Sequence, residues 1–66
     1  MGVMGVVRYF DRERGLGAIT LADGREAVVR ARRLPELGGG TLGEGLPVEV
    51  EVEEGPKGLE VARLIG

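Results

Sequence analysis

Six residue types are missing from this 66-residue chain: cysteine, histidine, serine, asparagine, glutamine and tryptophan. Without cysteine there is no disulfide framework, no thiol chemistry and no cysteine-based zinc site. Without histidine the usual general base at neutral pH is gone, and with it the other common zinc ligand. The missing serine completes the loss of ordinary nucleophiles. The chain has no signal-peptide pattern and no long apolar run, so the expectation is a soluble, cytoplasmic protein with no membrane partner. The shortage of asparagine, glutamine and cysteine gives a thermophile-like composition. Aromatic rings are almost absent too; Tyr9 and Phe10 are the whole supply.

Charge of neither sign dominates, and the formal net charge is −2. That balance argues against a generic nucleic-acid binder. Its distribution is uneven. Residues 1–34 carry seven arginines against four acids, a net +3, and residues 35–66 carry Lys57 and Arg63 against seven glutamates, a net −5. Such a division leaves room for one basic face. The glutamates at 49, 51, 53 and 54 read as an exposed strand face and turn, which serves solubility and edge protection rather than acid–base chemistry. The expectation is a protein with no catalytic residues, no metal and no organic cofactor.

What is present is a regular series of strand-like runs. Residues 3–10, 15–21 and 25–31 are apolar, β-branched or alternating, and 46–54 alternates most clearly, with Val48, Val50 and Val52 on one face and Glu49, Glu51 and Glu53 on the other. Residues 59–65 fit an alternating strand or a short helix by pattern alone. Asp-Gly in "ADG" (22–24) and Pro56 in "GPKG" (55–58) mark tight turns. "ELGGGTLGEG" (36–45) has five glycines and no periodicity, which predicts a long mobile loop. "ARRLPEL" (31–37) has room for one helical turn before Pro35. Five short strands predict a closed barrel, because closure removes exposed edges. A single domain over 1–66 follows, its core built from Val7, Ile19, Val29, Val48, Val50, Val52 and Leu64.

"RGLGAIT" (Arg14 to Thr20) is the unusual stretch. Period two places Arg14, Leu16, Ala18 and Thr20 on one face, and Gly15, Gly17, Ile19 and Leu21 on the other. The glycines on the inward face predict close approach by a neighbouring strand or core chain, and a sharp bend of the sheet.

"GVVRYFDRERGLGAIT" (Gly5 to Thr20) resembles the first two strands of bacterial cold-shock domains, whose pattern is roughly G-x-V-K-W-F-N-x-x-K-G-F-G-F-I. Gly5, Val7, Phe10, Gly15, Gly17 and Ile19 match it, and Arg8, Tyr9, Asp11 and Arg14 are conservative replacements. The resemblance runs without a gap to Leu64. It implies an all-β, five-stranded antiparallel OB-type Greek-key barrel that binds single-stranded RNA or DNA by stacking bases on surface rings.

The rings are mostly gone here. Leu16, Ala18 and Val28 stand at phenylalanine positions of the family, Arg30 at its histidine, Ala31 at a further phenylalanine, and Gly39 where the long loop has an aromatic. Each stacked base contributes roughly 1–3 kcal/mol, so three lost platforms cost about 3–9 kcal/mol. Arginine is the counterweight, since a guanidinium both stacks on a base and pairs with phosphate. The resemblance therefore implies a weak, salt-sensitive nucleic-acid site made of Arg8, Tyr9, Phe10, Arg14, Leu16, Ala18, Val28 and Arg30. Phe10 divides between that face and the core, and Tyr9 belongs at the surface, where its hydroxyl stays wet. Arg25, Arg32 and Arg33 either extend the basic patch or lie in solvated turns. The alternative is a degenerate barrel in which Leu16, Ala18 and Val28 form a small apolar patch for a protein partner or self-association.

Overall fold

The structure, a computed structural model, describes residues 2–33 and 42–65. Five strands carry it: β1 (Val3–Asp11), β2 (Leu16–Leu21), β3 (Glu26–Arg30), β4 (Pro47–Gly55) and β5 (Gly58–Leu64), with a 3-10 turn over Ala31–Arg33 after β3. Residues 59–64 are strand, which resolves the ambiguity of that run. The helical turn foreseen before Pro35 is the 3-10 turn; residues 34–41, including Gly39, lie outside the described residues. Among the described residues no helix is long and apolar enough to cross a membrane.

The strands close into a barrel in the order β1-β2-β3-β5-β4. Four of the five junctions are antiparallel, and β3–β5 is parallel through the one pair Val28↔Glu60. Parity requires this refinement of the antiparallel expectation. An odd number of strands in a closed ring cannot alternate direction all the way round, so one junction must be parallel.

The inward face is apolar on every strand. Val7, Ile19, Leu21, Ala27, Val29, Val48, Val50 and Val61 are buried, and Val3, Phe10, Val52, Leu59 and Leu64 pack half-buried against them. The expected core is present, with Val52 and Leu64 at its margin. In β4 the valines at 48 and 50 point in while Glu49 and Glu51 are half-buried and Glu53 is exposed. Leu42 is a correction to the loop reading. It is buried in the core, and Gly45 just beyond it donates a backbone hydrogen bond to Val7 O at 2.8 Å. No periodicity announces this residue, because it joins the core from outside any strand.

The turns follow from their residues. Asp11 Oδ1 accepts the N–H groups of Glu13 and Arg14 at 3.0 and 3.2 Å, and Gly15, at φ 71°, takes the left-handed conformation that leads into β2. Nothing lies within 4 Å of a Cβ added at Gly15, so its role is the turn and not the close approach expected of it. Gly24 closes the β2–β3 turn by donating to Leu21 O at 2.9 Å, and Asp23 Oδ1 accepts the Arg25 N–H at 3.0 Å.

Candidate functional site

The outer surface of β1, β2 and β3 is organised by one irregularity. The β1–β2 register shifts between Val7 and Tyr9, so Arg8 is an extra residue without a partner opposite it on β2. A β-bulge of this kind turns the alternation of a strand over. Before it, Gly5 and Val7 face in; after it, Tyr9 faces out and Phe10 turns inward. Arg8 and Tyr9, neighbours in sequence, are therefore both exposed. Strict period two cannot achieve that.

Two cross-strand rows result. Tyr9 stands opposite Ala18, and Ala18 opposite Val28, which makes one outward row across three strands. Tyr9 is 43% exposed and Val28 36%, whereas Ala18 is 5% exposed. Ala18, expected on the face, lies buried between two larger neighbours, its methyl too short to reach far into solvent. The next row, Phe10–Gly17–Val29, faces inward. A Cβ on Gly17 would stand 2.5 Å from Phe10 Cδ1 and 2.9 Å from Tyr9 O. The glycine leaves the space that the Phe10 ring fills, and that ring packs half-buried against the core. Phe10 consequently serves the core first, with only a partial rim at the surface.

Leu16, at the start of β2, pairs with Asp11 on one side and Arg30 on the other. Around it Arg14, Arg30 and Arg32 line a cleft of about 270 Å³. A second hollow, about 200 Å³, continues past Val28 and Arg30 to Lys57 and Glu60. Arg32 and Lys57 thereby join the face. Arg32 lies in the 3-10 turn, and Lys57 on the tip of the β4–β5 hairpin, 27 residues beyond Arg30, where only closure of the barrel brings it.

The arginines do not stand alone. Arg8 pairs with Glu26 on β3, Arg14 with Asp11 at 3.6 Å, Arg30 with Glu60 at 3.5 Å and Arg33 with Glu53 at 3.6 Å. The exposed pairs among these contribute about 0–1 kcal/mol, so a phosphate can displace their carboxylates, whereas Glu60 in the Arg30 pair is half-buried. Arg25 turns to Asp23 at 2.7 Å instead, on the far turn. There the Asp23 carboxyl is held below the ordinary aspartate range, first by the Arg25 backbone N–H and then by its guanidinium. Among the described residues no group of three or more acidic side chains is placed to hold a metal ion.

No family model matches the chain. Individual proteins do. The chain is 42% identical to the cold shock-like protein CspG of Shewanella violacea over 62 residues, 92% of this chain and 89% of that protein. It is 38% identical to the cold shock-like protein of Thermotoga maritima over 60 residues, 91% of each. With the cold shock-like protein CspC of Escherichia coli K12 it shares 39% identity over 57 residues, 85% of this chain and 83% of the relative.

Proposed function

The chain belongs to the cold-shock protein family, and from that premise we propose that it is a nucleic-acid-binding protein that takes single-stranded RNA or DNA weakly on the outer face of β1, β2 and β3. One observation carries the reading: the exposed Tyr9 ring and the arginine-lined cleft at Leu16 lie on the same three-stranded surface. Tyr9 and Val28 supply base contact. Arg8, Arg14, Arg30 and Arg32 supply phosphate contact or flat guanidinium stacking, and Leu16 floors the cleft. Phe10 and Ala18 support the surface from beneath. The protein is a non-catalytic, cytoplasmic binder in this reading, and it needs no cofactor.

With one ring in place of several, charge carries most of the affinity. Binding of labelled oligo-dT or oligo-U should fall steeply with salt, by about 0.7 log units per log unit of salt for each phosphate neutralised. Base preference should be slight, since phosphate contacts carry no sequence information. Arg8→Ala and Arg30→Ala should each weaken binding and flatten the slope; Tyr9→Ala should weaken it with the slope unchanged. Absence of binding at low salt, or indifference to the arginine substitutions, would remove this face as the site.

A protein-binding reading attaches to a different surface. Met4, 54% exposed, and Val6, 45% exposed, line an apolar hollow with Leu21 and Pro47 on the other half of β1. Sedimentation at rising protein concentration tests self-association there. At the other candidate patch, Leu16 and Val28 share a hollow with Arg30 and Ala18 is buried, which leaves a smaller continuous apolar area there.

A further inference from the structure

Glu60 occupies a special place beside this face. It sits opposite Val28 in the one parallel bridge that closes the barrel, and its side chain is only 14% exposed. Arg30 Nε donates to Glu60 Oε1 at 3.5 Å, and Arg33 Nη1 lies 4.0 Å from the same oxygen. The rest of the carboxylate lies over Gly55. A Cβ on Gly55 would stand 2.8 Å from Glu60 Cδ and 2.9 Å from Cγ. The absent side chain at 55 is what seats the carboxylate against the two arginines. The Arg8–Glu26 pair is more open, with side chains 61% and 44% exposed.

We propose that Glu60 is a built-in competitor for nucleic-acid phosphate, holding Arg30 and Arg33 and so lowering the affinity of the face for single strands. This rests on the reading of the face as a nucleic-acid site. A phosphate that approaches Arg30 meets a negative charge already in place, and a like charge at an interface opposes association. A half-buried charge is also screened by salt less than an exposed one. Part of the weakness of binding is therefore electrostatic and local, in addition to the lost rings.

Labelled oligo-dT titrations at several salt concentrations test this with Glu60→Gln, which keeps the shape and removes the charge. Arg30 and Arg33 are 35% and 31% exposed, so water can solvate both guanidinium groups and the variant should stay folded. Glu60→Ala is the second variant, since the strand bridge is made by backbone. Both should bind roughly three- to tenfold tighter at low salt, with a slope steeper by up to about one phosphate. Glu54→Gln, the same charge change on exposed β4, should gain much less. The gain should largely vanish when Arg30→Gln is added, which a general rise in stability or net charge would not produce. If the wild type binds and Glu60→Gln binds equally or more weakly, the competitor is overturned and Glu60 instead positions Arg30. If neither wild type nor variants bind, the reading of the face falls and the inference falls with it.

Discussion

Gly17 and Phe10 share one space, and each explains the other. The ring turns inward because the bulge at Arg8 inverts the alternation of β1, and it fits because residue 17 has no side chain. Gly17→Ala should destabilise the protein by about 1–3 kcal/mol, because the ring and the Tyr9 carbonyl must both yield. Gly43→Ala meets nothing within 4 Å and should stay within about 0.5 kcal/mol of wild type, both read from urea unfolding. Asp23 gives a pH-dependent counterpart. Its folded pKa is lowered, so its charge stabilises the fold above the unfolded value, and that contribution is lost as pH falls through the folded value. Wild type should therefore melt above Asp23→Asn near neutral pH, and the gap should close as pH drops below about 4. A gap that stays constant across that range would show that the Asp23 charge is irrelevant. The glycine at 17 was legible as a close approach; its partner was not, since nothing local marks Arg8 as the extra residue.

At the scale of the element, the three-stranded face carries a single exposed ring, that of Tyr9. The row Tyr9–Ala18–Val28 holds one aromatic at its end and a partly exposed valine at the other. Val28→Phe puts a ring on an outward position without touching the core. It should tighten single-strand binding by about 1–3 kcal/mol, roughly five- to 150-fold, with the salt slope unchanged. A steeper slope, or no gain, would mean that bases do not reach this end of the row. The strands themselves were legible from alternation, most plainly in β4. The candidate face was legible only in part. Arg32 and Lys57 enter it through the 3-10 turn and the β4–β5 hairpin, and the carboxylates at 26 and 60 meet their arginines from 18 and 30 residues away.

At the scale of the molecule, one core serves the described residues. Its buried residues come from all five strands and from Leu42, so no pair of strands has an apolar interior of its own. The described chain should unfold as one domain in a single transition, with calorimetric and van't Hoff enthalpies in agreement near about 45 kcal/mol at 60 °C. Two resolved transitions would show the barrel opening in parts. The same closure governs charge. It brings the acidic β4–β5 half against the basic first half, so that Glu60 and Glu53 lie beside Arg30 and Arg33.

The sequence by itself determined the first four strands, the sidedness of β4, the positions of the turns and the exclusion of cysteine, histidine and serine chemistry. These are local properties: alternation with period two, turn residues and residue inventory. Tertiary structure alone decided the bulge at Arg8, the inward turn of Phe10, the burial of Ala18 and Leu42, and the pairing of Arg8 with Glu26 and of Arg30 with Glu60. All of these depend on which strands become neighbours and in what register. A shift of one residue in register exchanges inside for outside, and no stretch of a single strand encodes that shift.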